Sequence, residues 1–265
     1  MCQHTDFKIY SNKFDTEFIG KTVYYYQIVN STNSIAKDFA KKNVENGTII
    51  ISKVQNNGRG RNNHSWISPK GGLWMSIILK PNISPNKVQY LTLITGISLS
   101  KTINENFDLK TSIKWPNDVY IDDKKISGIL TEGHITKEKV NYLILGIGVN
   151  LNNNSSDLQL DSQKIAGSLK EELGHSINIC DFLNKFLKNL ENYYKILINN
   201  DFNRILNDWK ALNNTLGKIV EVKQGHEIII GEAYDLGDDG SLIIKKEDGD
   251  FRTVIAGDCT IKKIK

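Results

Sequence analysis

Residues 55–61, Gln-Asn-Asn-Gly-Arg-Gly-Arg, alternate two glycines with two arginines directly after an apolar run at 49–54, and lead on to Trp66. Gly58 and Gly60 allow close approach of the backbone to a ligand and tolerate positive φ. Arg59 and Arg61 add two guanidinium forks matched to carboxylate or phosphate oxygens. Without an anion the loop carries two like charges and little to bury, so it is expected to be mobile; with one it can order. These residue types point to a place where a phosphate-containing anion is made or held. The plainer alternatives are a solvated basic turn and nonspecific contact with nucleic acid.

Three further clusters carry chemistry. Lys114-Trp115-Pro116-Asn117-Asp118 sets a lysine, an amide and a carboxylate around a rigid Trp-Pro pair. Lys114 can neutralise a phosphate and Asp118 can bind a Mg²⁺ that bridges phosphate oxygens, although Pro-Asn-Asp is equally good turn chemistry. Lys125, with Gly128 three residues on, is either a ligand contact at a strand edge or a solvated hairpin lysine. The Gly146-Ile147-Gly148-Val149-Asn150 run is weak evidence for a dinucleotide site, since the third glycine and the following helix are missing.

The elements that must position these residues follow from the apolar pattern. Residues 22–29 are β-branched and aromatic, a strand, and 30–33 (Asn-Ser-Thr-Asn) suit a helix N-cap. Ile35, Ala36, Phe39 and Ala40 then recur at helical spacing, so 33–42 form a helix. Strands are expected at 48–55 and 72–80, and a long helix with a small-residue face at 88–107. A hairpin of 112–121 with 125–134 and a strand at 140–151 follow, then two or three helices over 162–213. After Leu216 come short strands with Asp239-Gly240 and Asp248-Gly249 as turns. This is an α+β architecture, a mixed and largely antiparallel sheet backed by helices. It is expected to divide into a catalytic domain at 1–213 and a small SH3-like β-barrel at 214–265, each with its own core.

Composition narrows the class. The 265 residues are 39% hydrophobic and 24% charged, and 34 basic against 30 acidic residues leave a net charge of only +4, which does not describe a protein built around a nucleic-acid backbone. Cys2, Cys180 and Cys259 are too few and too scattered for a disulfide framework, and the five histidines lack ligand spacing. No signal peptide is read in residues 1–10 and no stretch is long enough to span a bilayer, so a cytoplasmic location is expected.

Taken in order, the clusters resemble those of the biotin protein ligases. The shared pattern is Ser31-Thr32-Asn33, then Gly58-Arg59-Gly60-Arg61 with Trp66, then Lys114 to Asp118, then Lys125 with Gly128, then Gly148 with Asn150. The resemblance implies a class II synthetase-like biotin/lipoate ligase domain. It implies biotin contacts at Ser31, Thr32, Asn33, Gln55, Gly58, Gly60, Gly128 and Gly148, with Arg59, Arg61 and Lys125 also catalytic. On the ATP side it implies Trp66, Lys114, Asn117, Asp118 and Asn150, with Asp118 as the Mg²⁺ ligand. Two positions depart from the family pattern: Asn63 stands where glycine is common, and His64 where arginine or asparagine is.

The implied reaction joins biotin and ATP into biotinyl-5′-AMP and passes the biotinyl group to a lysine of a biotin carboxyl carrier protein, by a monomer or homodimer. Only about twenty residues precede the first catalytic strand, so the single-function form without a DNA-binding module is expected. The alternatives are a lipoate–protein ligase, which uses the same adenylation logic, and a non-enzymatic RNA-binding protein. The second is poorly supported, because Tyr234 and Phe251 are nearly the only aromatics of the small barrel.

Overall fold

The computed structural model describes residues 7–158 and 165–262. Cys2, His4, most of the segment read for a signal peptide and the expected helical start at 162 lie outside them. One sheet has eight strands in the order β1-β2-β3-β4-β8-β7-β6-β5: β1 (Phe7–Ser11), β2 (Thr22–Val29), β3 (Ile49–Gln55), β4 (Leu73–Leu79), β5 (Thr111–Lys114), β6 (Asp118–Ile121), β7 (Lys124–Ile135) and β8 (Val140–Val149). Among the strand pairs of the described residues only β2–β3 is parallel, with α1 (Thr32–Lys41) as its crossover.

Strand alternation sorts the apolar side chains onto two faces. Ile49, Ile77, Leu143 and Leu145 join the main core; their neighbours Ile50, Ile78 and Ile144 meet Ile35, Ala36 and Ala40 of α1 on the opposite face. On the main-core side lie α2 (Gln89–Phe107), α4 (Ile179–Ile198) and α5 (Phe202–Leu212), with the short α3 (Leu169–Leu173) between α2 and α4 in the chain. α2 is buried almost all round, and its Thr95, Ser98 and Thr102 hydroxyls return to the carbonyls of Leu91, Ile94 and Ser98, at 2.6, 2.6 and 2.7 Å. These bonds satisfy the Thr95, Ser98 and Thr102 hydroxyls as the helix approaches its neighbours, while Ser100 Oγ is buried without a hydrogen-bond partner.

A second, antiparallel sheet has the order β12-β11-β10-β9-β13, from β9 (Ile219–Gln224), β10 (Glu227–Leu236), β11 (Leu242–Lys245), β12 (Phe251–Val254) and β13 (Asp258–Ile261). It forms the expected small SH3-like unit. β13 goes beyond the sequence reading, whose strands stopped at 254; four residues after a glycine give too little alternation to register.

Three expectations are corrected. The segment 112–121 is not one strand: Trp115, Pro116 and Asn117 form the turn between β5 and β6, with a cis Trp115–Pro116 peptide. The Ser31 side chain at the start of α1 does not cap it, and those of Thr32 and Asn33 are committed elsewhere, as described below. The two cores are not separate. Val220, Val222, Leu242 and Ile244 belong to the same apolar cluster as Trp115 and Tyr90. Trp115 Nε1 donates to Gly240 O at 3.2 Å and Tyr90 OH to Asp238 O at 2.9 Å. Among the described residues no helix is long and apolar enough to cross a membrane.

A buried carboxylate ties α4 to the chain ahead of β2. Glu191 accepts the backbone N–H groups of Glu17, Phe18 and Ile19 at 2.6, 2.9 and 3.0 Å. Burial alone would raise its pKa; the three amides and Lys195 outweigh it and hold the carboxyl below its ordinary range. Its stabilisation is therefore complete above the unfolded-state value of about 4.3 and is lost as pH falls through the lower folded value. Glu191→Gln should cost about 1–3 kcal/mol at neutral pH and flatten the acid limb of a denaturation curve; an unchanged acid limb would rule this out. A chain ending at residue 214 should melt several degrees lower than the intact protein, with Trp115 exposed to quencher. Equal melting and shielding would restore the two-core view.

Candidate active site

The sheet register builds the floor of the site. Lys114 pairs with Asp118, Asp118 with Gly128, Gly128 with Gly148, Gly148 with Trp74, and Trp74 with Ser52, one row across six strands. Paired residues share a face, so this row lies on the α1 side of the sheet. Trp66 spreads over the glycine step. A Cβ on Gly148 would collide with the indole, and one on Gly128 would sit 2.8 Å from the ring. In the next row Ser76 faces Gly146, where a Cβ would strike the Asn33 amide. The glycines of the GxG run therefore make room for Trp66 and Asn33 rather than for a phosphate.

A hydrogen-bonded chain circles this floor. Gln55 Oε1 accepts Thr32 N at 2.9 Å and Thr32 Oγ1 at 3.1 Å, while Gln55 Nε2 donates to Ser68 Oγ at 2.8 Å. Ser76 Oγ lies 2.7 Å from Thr32 Oγ1 and 2.6 Å from Asn33 Oδ1, so its one proton is shared between them. Asn33 Nδ2 donates to Glu132 Oε2 at 2.8 Å, and Glu132 Oε1 takes Lys37 and Arg59, each at 2.8 Å. Burial pushes the Glu132 pKa up, but the bonds from Lys37 and Asn33 and the nearby charges outweigh this and hold it below the usual carboxylate range. Ser31 is buried at the N-cap of α1.

The arginine–glycine loop is a closed structure. Trp66 N donates to Gly58 O at 2.9 Å and Gly60 N to His64 O at 2.7 Å. Neither Gly58 nor Gly60 has positive φ; Asn62 takes the left-handed turn (φ 48°). Gly58 is needed for close packing instead, since a Cβ there would meet Trp66 O. The expectation that Arg59 lacks an anion unless one is supplied from outside is overturned by Glu132. A cavity of about 610 Å³ lies against the paired limbs of the loop, lined by residues including Gln55, Gly58, Arg59, Trp66 and Ser68.

The second cationic group sits beside Trp66. Lys125 Nζ is 2.7 Å from Asp118 Oδ1 and 5.1 Å from the centre of the indole. Arg61 donates to Asn117 Oδ1 at 3.3 Å, and Asn117 Nδ2 to Ile129 O at 2.8 Å. Burial lowers the Arg61 pKa, against the opposing charges of Asp258 and Asp118. Lys114 Nζ lies 5.9 Å from the Tyr120 ring. Asn150 is buried, and its amide donates to Gly167 O at 2.9 Å and Lys125 O at 3.4 Å, so it braces the backbone around Lys125. From the second sheet, Asp258 reaches His64 Nε2 at 3.4 Å and also bonds Asn62. Among the described residues no group of three or more His, Cys, Asp or Glu could hold a metal ion.

Residues 24–150 match the biotin/lipoate A/B protein ligase family and 215–262 the biotin protein ligase C terminal domain. The bifunctional ligase/repressor BirA of Bacillus subtilis is 32% identical over 235 residues, covering 88% of this chain and 72% of its own. The chain belongs to the biotin protein ligase family. The biotin–[acetyl-CoA-carboxylase] ligase of Paracoccus denitrificans is 26% identical over 218 residues, 81% of this chain and 90% of that one. Among solved structures, the biotin protein ligase from Aquifex aeolicus in complex with biotin and ATP superimposes with a TM-score of 0.77 at 29% identity, covering 91% of this chain and 99% of that one.

For a member of this family, the structure gathers the sequence-derived residues on one face of the sheet and splits them into two groups. Thr32, Asn33, Gln55 and Arg59 belong to the hydrogen-bonded ring; Asp118 pairs with Lys125 beside Trp66, Arg61 with Asn117, and Lys114 lies near Tyr120. Sequence reasoning missed Ser76, Glu132 and Asp258, and read Gly146 only as part of a weak dinucleotide motif. The parity of Ser76 and Gly146 with the site face was readable; Glu132 resembles any strand-end glutamate until the fold brings Asn33 and Arg59 to it. If the glycine floor seats the indole, Gly148→Ala should destabilise the protein by about 1–3 kcal/mol through overpacking. Gly60→Ala, whose nearest added contact would be 3.3 Å away, should cost far less. Denaturant midpoints compare them, and equal midpoints would show that the indole is seated elsewhere.

Proposed function

We propose that this chain activates biotin with ATP as biotinyl-5′-AMP and transfers the biotinyl group to a lysine of a biotin carboxyl carrier protein. The observation that supports this most is the cationic set of Arg59, Arg61 and Lys125 on one sheet face, beside a ring of neutral donors and acceptors, in a chain of this family. A carboxylate oxygen of biotin attacks the α-phosphorus, a C–O–P bond forms, and the bond to the β-phosphate oxygen breaks to release pyrophosphate. The carrier lysine, as a free amine, then attacks the carbonyl; AMP leaves and the nitrogen loses a proton.

Both reactants of the first step are anions, so positive charge is the main requirement. In this reading Arg59, Arg61 and Lys125 stabilise the charge around the reacting phosphorus, and Lys114 holds the outer phosphates. Ser31, Thr32, Asn33 and Gln55 address the ureido end of biotin, while Gly58 and Gly60 keep the loop backbone close. Gly128 and Gly148 form the floor. Trp66, Asn117, Asp118 and Asn150 belong to the nucleotide side, Asn150 by bracing Lys125. Asp118 would hold Mg²⁺, which when bound neutralises phosphate charge; a single carboxylate here suits an ion bound largely through the nucleotide. No side-chain nucleophile is needed. Loop 58–66, closed over the adenylate, excludes water until the lysine arrives.

Biotin-dependent ATP–pyrophosphate exchange tests the reading, with lipoate as the competing substrate. Exchange driven by lipoate and not biotin would reassign the enzyme. Lys125→Ala, checked for folding, should lower exchange by roughly 10²–10³. Lys114→Ala should mainly raise the KM for ATP with a smaller effect on kcat. Near-normal exchange in Lys125→Ala would remove Lys125 from the centre of the reaction.

A further inference from the structure

Two cations, one on a helix and one on a loop, meet at one carboxylate. Glu132 Oε1 lies 2.8 Å from Lys37 Nζ on α1 and 2.8 Å from an Arg59 guanidinium nitrogen on the loop, while its Oε2 accepts the Asn33 amide. The Glu132 side chain is 17% exposed, against 33% for Lys37 and 43% for Arg59. A largely buried carboxylate left without a counter-ion is costly. Lys37 rides on a helix packed against the sheet through Ile35, Ala36 and Ala40; Arg59 rides on a loop whose nearest backbone ties are at Gly58 and Gly60. If Arg59 turns to another anion, Lys37 stays and Glu132 remains neutralised. Without Lys37, the same movement would strand the charge.

We propose that Glu132 is a positioning residue that docks Arg59 between turnovers, and that Lys37 is the standing counter-ion that frees Arg59 to engage the anionic reactant. This rests on the reading of loop 58–66 as the segment that meets biotin and ATP. The carboxylate does a second job through Oε2. It fixes which way the Asn33 amide faces, and through Ser76 the hydroxyl of Thr32. Arg59 can therefore come and go while the ring on the α1 side keeps its orientation, provided Lys37 remains.

Two measurements test this. In ligand-free protein, Glu132→Gln should speed amide hydrogen exchange across 58–66 about threefold, the range of one partly exposed ion pair. The same change made in an Arg59→Ala background should add nothing. In biotin-dependent ATP–pyrophosphate exchange, Lys37→Met should raise the KM for ATP about threefold with kcat little changed, Lys37→Arg should behave as wild type, and Lys37→Met combined with Glu132→Gln should bring KM back toward wild type. A packing role for Lys37 would give no such rescue. Additive exchange effects of Glu132→Gln and Arg59→Ala, an unchanged KM in Lys37→Met, or failure of the rescue would each overturn the proposal. Absence of biotin-dependent exchange in the wild-type protein would instead sink the functional reading and leave the ligand-free measurement intact.

Discussion

The site depends on two neighbouring strands leaving a strip of sheet without side chains. Gly148 on β8 and Gly128 on β7 are register partners, and the Trp66 indole lies on the surface they leave bare. Glycine within a strand costs roughly 0.5–1 kcal/mol relative to alanine, so the strip is locally unfavourable. The indole covers it, returns dispersion contacts, and brings the descending limb of the loop down onto the sheet. From that one contact follow the position of Lys125, whose ammonium lies over the ring, and the closeness of Gly58 to the carbonyl of Trp66. Gly146 repeats the device one row away for the Asn33 amide.

On this surface the protein keeps its positive charges apart. Arg59 is held by Glu132, Lys125 by Asp118, and Arg61 by Asn117. Each cation has a local partner, so the folded chain does not bear the repulsion of an unpaired cluster, and each partner is a weak enough hold to be exchanged for phosphate. The start of α1 shows the cost of this organisation. Ser31, Thr32 and Asn33 are ideal capping residues by type, yet none caps the helix. The polar atoms of Thr32 and Asn33 face the ring instead, and the helix forgoes about 1 kcal/mol of capping beside this set of oriented donors and acceptors.

Much of this could be read from the chain. The boundaries of β2 and the helical period of α1 and α2 came directly from apolar spacing, and the grouping of Arg59, Arg61, Lys114, Asp118 and Lys125 from the motifs. What escaped was of two kinds. Short elements fell below the pattern: the Trp115–Asn117 turn splits an otherwise continuous apolar segment, and β13 is four residues long. Long-range pairings fell outside it: Glu132 lies 73 positions from Arg59 and 99 from Asn33, and no local rule links them. Gly58 and Gly60 were read as allowing close approach to a ligand and tolerating positive φ; neither uses that freedom, Asn62 makes the left-handed turn, and Gly58 packs closely against the carbonyl of Trp66.

Strand β13 has a consequence for when the enzyme can first act. It follows every other element of the site in chain order, pairs with β9, and sends Asp258 to Asn62 and His64 of the loop. During synthesis the eight-stranded sheet emerges first and domains fold as they appear, but the loop lacks its contacts with Asp258 until that residue has cleared the ribosome. Trp115 and Tyr90 likewise wait for Asp238 and Gly240 to cover them. The nascent chain therefore passes through a stage in which Arg59, Arg61 and Lys125 have been made while the loop still lacks its brace, and that stage lasts until Asp258 is available to it.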